Sequence, residues 1–362
     1  MNPIYLFAPL VILLLCVSLL SLSSKEIWWV RVHDFPRMQY FVSAILLLIG
    51  EILFMDYANL SFWLLLLPTL FVIAFQLWWI LPYTKFYSQE VCEASTLDSE
   101  NSIKIMTANV LMTNRKAEKL IELIQNNNPD ILVTLETDQW WETQLKPIED
   151  DYPYRMSCPQ ENLYGMHVYS RYLLSESTTK FLVQDDIPSM HTLLTLPSGQ
   201  NIRVHFLHPA PPSPTENEES SKRDAELIMV AKSLADAELP IIVTGDLNDV
   251  AWSTTTRLFR KISKLIDPRI GRGMFNTFHA DYWFMRWPLD HLFHSAHFTL
   301  YDIRRLSHFG SDHFALFTQL NFVHSDTIKS QPEVKADNDD KRFAREKLTS
   351  EEVSENDVPT PS

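Results

Sequence analysis

Between residues 109 and 313 the chain carries six short patches in which carboxylates, amides and imidazoles recur. They are Asn109 in Thr-Ala-Asn-Val, Glu136 in Leu-Glu-Thr-Asp, His208 in Leu-His-Pro, Asp246 and Asn248 in Gly-Asp-Leu-Asn-Asp, Asp290 in Leu-Asp-His, and Asp312 with His313 in Gly-Ser-Asp-His. Oxygen donors of this kind suit a hard divalent cation, and imidazoles beside carboxylates suit proton handling. Attack of water on a phosphoester needs that combination. Charge grows on the leaving oxygen, a water must be oriented in line, and the non-bridging oxygens must be neutralised. The three cysteines, Cys16, Cys92 and Cys158, have no metal-ligand spacing, which argues against a structural zinc site and against a disulfide framework. Singly, each patch has an ordinary reading: Asn109 as a turn cap, Glu136 as a helix-start carboxylate, Asp246 to Asp249 as a turn after a strand, His208 as a surface imidazole. Their joint chemistry and order carry the reading.

The elements needed to bring such patches together lie between Ser102 and Phe322, where short β-rich runs alternate with turns and amphipathic helices. Ile103 to Val110 reads as a strand, and Leu120, Ile121 and Ile124 fall at helical spacing within Lys116 to Gln125. Asn128-Pro129 stops that helix, and Ile131 to Leu135 is a buried strand that delivers Glu136. Further strands are expected at His167 to Tyr169, Asn201 to Leu207, Ile241 to Thr244, His291 to His294 and His313 to Asn321, with a helix from about Arg223 to Ala237. The polar patches therefore sit at strand ends. That placement suits an α/β sandwich of two sheets whose loops meet at one edge.

The N-terminal part has a different composition. Residues 3 to 24 and 57 to 84 carry no charge and residues 38 to 55 carry only Glu51, so three transmembrane helices are expected within residues 1–84. Trp28, Trp29, Trp78, Trp79 and Tyr83 fall near their ends, where amphipathic rings suit the headgroup region, and Glu51 reads as a carboxylate near a helix end. Lys25, Arg31, Arg37 and Lys85 lie on the side of the long C-terminal part, which places that part in the cytoplasm of an inner-membrane, multi-pass protein. Residues 85–101 read as a linker, and residues 323–362, polar and without hydrophobic periodicity, as a disordered acidic tail.

Residues 102–322 resemble the endonuclease/exonuclease/phosphatase superfamily on the six patches together with Gly165-Met-His-Val-Tyr-Ser-Arg171, and Asp246 through Trp252-Ser253 fits a membrane-anchored bacterial branch of it. The resemblance implies a four-layer α/β sandwich, two packed β-sheets flanked by helices. It also implies a metal site in which Glu136 is the principal carboxylate, assisted by Asn109 and Asp312, with Mg²⁺ as the cofactor and Mn²⁺ as the alternative. By the same resemblance Asp246 orients water, Asn248 binds the scissile phosphate, His313 stands beside the phosphate held by Asp290, and His208 is a second imidazole. Leu-Glu136-Thr and Leu-His208-Pro depart from the Gln-Glu and Asn-Thr-His forms of nuclease members, which leaves the substrate open.

Arg171 and Trp287 are the expected substrate contacts. Trp287 ends a segment, Arg257 to Trp287, in which basic and aromatic residues interleave as they do in nucleic-acid and anionic-lipid surfaces, and its part from Phe275 to Trp287, with Phe278, is expected as a substrate-side loop because it leads into Asp290. The formal charge of −14 gives little general attraction for a phosphate backbone, so nucleic acid is a disfavoured partner. The expected function is a membrane-anchored, Mg²⁺-dependent phosphoric ester hydrolase acting on a lipid headgroup or small metabolite. The alternatives are a membrane-tethered nuclease and a catalytically silent scaffold.

Overall fold

The structure, a computed structural model, describes residues 3–323 and 335–362. Two mixed β-sheets form the centre of the part that follows residue 101. The first has six strands in the order β10 (Phe298–Arg305), β11 (Leu316–Phe322), β1 (Ser102–Asn109), β2 (Ile131–Leu135), β4 (Met166–Ser170) and β3 (Tyr154–Cys158). The second has five, in the order β5 (Leu173–Lys180), β6 (Ser189–Thr195), β7 (Asn201–Leu207), β8 (Ile241–Asp246) and β9 (Asp290–His294). Each sheet has one parallel pair at its heart, β1 with β2 and β7 with β8, and the remaining neighbours are antiparallel.

Alternation of side chains along the strands explains the layering. Ile103, Ile105, Ile131, Val133 and Leu135 of the first sheet meet Ile202, Val204, Phe206, Ile242 and Leu292 of the second in a shared core. The other faces carry helices. Leu120 and Ile124 of α5 (Ala117–Asn127) and Trp141 and Leu145 of α6 (Gln139–Leu145) cover Met106, Ala108 and Leu132. Leu227 and Val230 of α7 (Ser221–Leu234) and Leu258 and Phe259 of α8 (Thr254–Ser263) cover Leu207, Ile241 and Val243. The expected α/β sandwich is therefore present.

The N-terminal part is a bundle of α1 (Ile4–Leu20), α3 (Arg37–Phe54) and α4 (Leu60–Ile80), with a short α2 (Trp28–Arg31) between the first two. Arg37–Phe54 and Leu60–Tyr83 are long and apolar enough to cross a membrane, which gives two candidate spans rather than the three expected. The first apolar stretch is cut short: α1 has 17 residues, because the serine-rich segment after Leu20 leaves the helix, with the Ser21 hydroxyl donating to the Ser18 carbonyl. Leu46, Ile49, Leu53, Leu64 and Leu67 point outward and exposed. Inward, Glu51 accepts from the Thr69 hydroxyl at 2.8 Å, and Gln76 donates to Ser18 at 2.9 Å. Glu51 is thus turned into the bundle and is not the headgroup-facing carboxylate that the sequence suggests.

Two further expectations change. Residues 85–101 are not a free linker. The carboxylate of Glu90 is buried against the Arg260 guanidinium at 2.5 Å and accepts from the Asp267 amide, while Val91 enters the inter-sheet core. Nor are all the described residues of the C-terminal segment disordered. Asp337 caps α9 (Asn338–Ser350) in a reciprocal capping box with Asp340, and Ala344 and Leu348 pack into the α7–α8 layer. Lys347 pairs with Glu26, and the Pro361 carbonyl accepts from Arg203 at 2.8 Å. Burial of Leu348 contributes about 2 kcal/mol, which the charge-rich composition of the segment conceals. Residues 324–334 of the expected tail lie outside the described residues.

Candidate active site

The topology brings the patches to one edge. The parallel strands β1 and β2 end together at Asn109 and Glu136, and β7 and β8 end together at His208 and Asp246. Strand β9 runs the other way and starts at Asp290, directly opposite Asp246. Strand β11 starts at Leu316 opposite Thr107 of β1, so Asp312 and His313 enter the same edge just before it. The sheets are tied there by a hydrogen bond between the hydroxyls of Thr107 and Thr244 at 2.8 Å.

Local backbone geometry sets the side chains. Gly245 has φ +152, and a Cβ there would lie 1.8 Å from the Leu207 carbonyl, so the Gly-Asp pair is required for Asp246 to end β8 this close to β7. Asn248 is left-handed at φ 51, a region asparagine tolerates, while Glu136 holds φ 60, which costs of order 1 kcal/mol. Strain at a carboxylate on this shared edge is the pattern of a site whose geometry is over-determined by its surroundings.

His313 lies between two carboxylates. Its Nδ1 is 2.8 Å from Asp290 Oδ2, and its Nε2 is 3.5 Å from Asp246 Oδ2. On the far side of Asp246, the Asn109 amide nitrogen donates to Asp246 Oδ2 at 3.1 Å and to Glu136 Oε1 at 2.8 Å. The Asn248 backbone N–H donates to Asp246 Oδ1 at 2.9 Å, and its amide donates to the Pro209 carbonyl, beside His208. The Ser311 hydroxyl fixes the last patch by donating to the Asn109 carbonyl at 2.8 Å. Asn109, Glu136, Asp246, Asp290 and His313 are thus joined by an unbroken chain of contacts.

Burial drives the charges apart. It would lower His313, but the carboxylates of Asp290 and Asp246 outweigh it and lift the imidazole to about 10, so it is a cation at neutral pH. Burial lowers His208 to about 4 against the pull of Asp246, which leaves it neutral. Its Nδ1 is buried with no partner among the described residues. Burial also raises Glu136 to about 7, against the Asn109 hydrogen bond and the pull of His313, and with the neighbouring charges of Asp312 and Asp246 adding to the rise. Two imidazoles held in opposite charge states at one edge is the arrangement expected where one group donates and another stays neutral.

Two expected contacts fall elsewhere. Arg171 follows β4, whose Ser170 pairs with Ile131 at the beginning of β2, so it lies at the opposite edge from Glu136. Its guanidinium packs 5.1 Å from the Tyr152 ring. The antiparallel run of β4 carries it there, and Arg171 is no substrate contact. Trp287 is one ring removed: it stacks on Phe278 at 6.2 Å, and Phe278 in turn lies 4.9 Å from His313. Phe278 lies in the Phe275 to Trp287 segment expected on the substrate side, and Tyr164, whose ring is 5.3 Å from that of His208, is a wall that the motifs did not point to. Tyr164 directly precedes Gly165-Met-His, and that adjacency was the available signal. Most of the basic residues from Arg257 to Arg286 are spoken for within the fold: Arg260 by Glu90, Lys261 by Asp340, Arg269 by Asp267, and Arg272 by the Val91 carbonyl.

A model of the Endonuclease/Exonuclease/phosphatase family matches residues 106–313, more than half of the chain, and the chain belongs to that family. Among solved structures it is similar to D. rerio TDP2 complexed with single-strand DNA product, at 17% identity and TM-score 0.52 over 61% of this chain and 99% of that one. It is also similar to the human Nocturnin catalytic domain, at 18% identity and TM-score 0.51 over 63% and 97%. An endonuclease/exonuclease/phosphatase family protein from Bacteroides thetaiotaomicron matches at 17% identity and TM-score 0.51 over 63% and 98%. At these identities the likenesses establish the fold. No curated protein sequence matches the chain.

The donor set fits a hard divalent cation. Family members of this type are phosphoesterase or nuclease hydrolases that generally use one. Among the described residues Asp246, Asp290 and His313 bring their ligand atoms within 4.8 Å of one another, but His313 Nδ1 is hydrogen-bonded to Asp290 and its Nε2 faces Asp246 as an ion pair, so both ring nitrogens already have carboxylate partners. Glu136, with the Asn109 amide against it and Asp312 nearby, is an oxygen-rich and anionic corner whose desolvated charge a cation would compensate.

Proposed function

We propose that the protein is a membrane-anchored, divalent-cation-dependent phosphoesterase. The observation that carries this reading is the placement of His313 between Asp290 and Asp246, with Asn109 linking Asp246 to Glu136. Glu136, Asn109 and Asp312 would hold Mg²⁺ or Mn²⁺, which when bound supplies a Lewis acid for the phosphoryl oxygens and the leaving group. The protein's own groups do the remaining work. Asp246, desolvated and aimed by the Asn248 N–H, orients the attacking water. The Asn248 side chain and the protonated His313 face the phosphate, so that negative charge developing in the transition state meets a fixed donor and a fixed cation. Asp290 keeps the His313 ring in orientation and charge state. His208, neutral and with Nδ1 unpartnered, has a free nitrogen for a phosphate oxygen or the leaving group.

Two apolar helices support the membrane anchor. Lys25, Arg31 and Lys85 belong to the segments that also bond the later part of the chain, through the Trp28 N–H to the Glu218 carbonyl and the Gly271 N–H to the Pro82 carbonyl, which supports a cytoplasmic position for that part at an inner membrane. The full chain in detergent should hydrolyse bis-p-nitrophenyl phosphate with Mg²⁺ or Mn²⁺ and lose that activity in EDTA. Single-stranded DNA and RNA in parallel reactions separate this reading from a nuclease. Hydrolysis that EDTA leaves intact, or no hydrolysis and no cation binding, would favour a silent scaffold over a hydrolase.

A further inference from the structure

We propose that the turn Tyr282–Met285 sits in the bilayer surface and that the site takes the phosphoester of a membrane lipid. The inference rests on the hydrolase reading above and adds its substrate class. Four consecutive apolar side chains project here: Tyr282 is 50% exposed, Trp283 79%, Phe284 53% and Met285 42%. A contiguous exposed patch of this kind on a water-facing loop is costly, and its neighbours show what covers it.

Those neighbours are the ends of the candidate membrane spans. The Gln39 amide, in the first turn of α3, donates to the Phe284 carbonyl at 2.8 Å, so the tip of the turn lies at the depth where α3 begins. Phe35, just before that helix, packs edge-on against Trp287 at 5.6 Å. The same level is marked on α4: the Arg37 guanidinium sits 4.4 Å over the Trp79 ring, and Trp78 is 72% exposed. Indole rings flanking an apolar helix are the signature of the headgroup layer, and Trp283 is a further one in that layer.

The other end of the same segment is the wall of the active site. The backbones of Phe278 and Trp287 pair, the Ala280 N–H donates to the Asp312 carbonyl at 2.6 Å, and the Phe278 ring lies against His313. A loop with its base on the catalytic imidazole and its tip beside a membrane helix gives a lipid headgroup a short path from the bilayer to the site. Aromatic side chains could also stack on nucleobases, but the chain is acidic and the tip is docked against the membrane bundle.

The test uses the full chain reconstituted in vesicles of phosphatidylcholine and phosphatidylglycerol, and compares it with a Trp283→Ser, Phe284→Ser double variant. Release of phosphorylated or free headgroup from these lipids should fall by about tenfold or more in the variant, while hydrolysis of bis-p-nitrophenyl phosphate stays within about twofold. Quenching of tryptophan fluorescence by brominated phosphatidylcholine should fall in Trp283→Phe. Unchanged lipid turnover, equal loss on both substrates, or selective loss of single-stranded DNA cleavage overturns the inference. If the parent chain hydrolyses the soluble ester but no lipid, this inference fails and the hydrolase reading stands. If it hydrolyses neither, the hydrolase reading fails as well.

Discussion

Asp290→Asn in the full chain is expected to lower kcat on a soluble phosphodiester by about 10² to 10⁴ with little change in KM, since its carboxylate acts through His313 and not on bound substrate. Asp290 Oδ2 holds His313 Nδ1 at 2.8 Å and is, after burial, the first cause of the imidazole's charge state. An amide in its place removes the charge and can present a donor where an acceptor is needed. The pH profile distinguishes this role from a merely structural one. The raised value of about 10 keeps His313 protonated through neutral pH, so in the parent chain any alkaline loss of the cation lies far above neutrality. Removing the Asp290 charge lowers that value, and the alkaline limb of kcat against pH should move to lower pH. His313→Ala should cost as much as Asp290→Asn, and the double variant little more, because the two act as one unit. An Asp290→Asn enzyme with parental kcat and pH profile would exclude the relay.

Glu136→Gln is expected to abolish both Mg²⁺ binding in calorimetry and hydrolysis, while far-ultraviolet circular dichroism stays that of the parent. The residue is half-buried and strained at φ 60, and desolvation pushes its carboxyl up to about 7. Cation binding must displace its proton, so the affinity of the parent for Mg²⁺ should weaken as pH falls below about 7. The sign for stability is the opposite of that of a salt-bridged carboxylate. With the folded-state value raised, the favourable contribution is complete at low pH and is lost as pH rises through about 7. In EDTA at pH 8 the Gln variant should therefore melt above the parent, and adding Mg²⁺ should raise the melting temperature of the parent alone. Equal Mg²⁺ affinity in parent and variant would move the cation away from this corner.

The parts of the fold legible in the sequence are those where burial leaves a continuous apolar run. Ile131–Leu135 and Asn201–Leu207 are central strands covered on both faces, and both were readable to the residue. The edge strand Leu173–Lys180 carries Ser-Glu-Ser-Thr-Thr on a half-exposed face, so its pattern is that of a loop until β6 pairs with it. Strands β3, β6 and β10 and helices α6 and α8 escaped for similar reasons of length or polarity. In the site, Asn109, Glu136, Asp246, Asp290 and His313 were legible because hard-cation and phosphoryl chemistry restricts residue type. Tyr164 was not, because an aromatic wall uses residues that any core uses, whereas Phe278 was placed only through the segment that runs into Asp290. Arg171 failed for a topological reason: a short motif gives residue order, while the direction of β4 decides which edge of the sheet its end reaches.

The proposed site holds one cation at Glu136, with His313 and its two carboxylates beside the ion and not around it. Anomalous scattering recorded at the manganese edge from crystals of the full chain soaked in Mn²⁺ locates that ion. The expected result is a single peak within about 2.5 Å of a Glu136 carboxylate oxygen, with Asn109 or Asp312 reaching it directly or through water. A peak held by Asp246, Asp290 and His313, or none near Glu136, would contradict it.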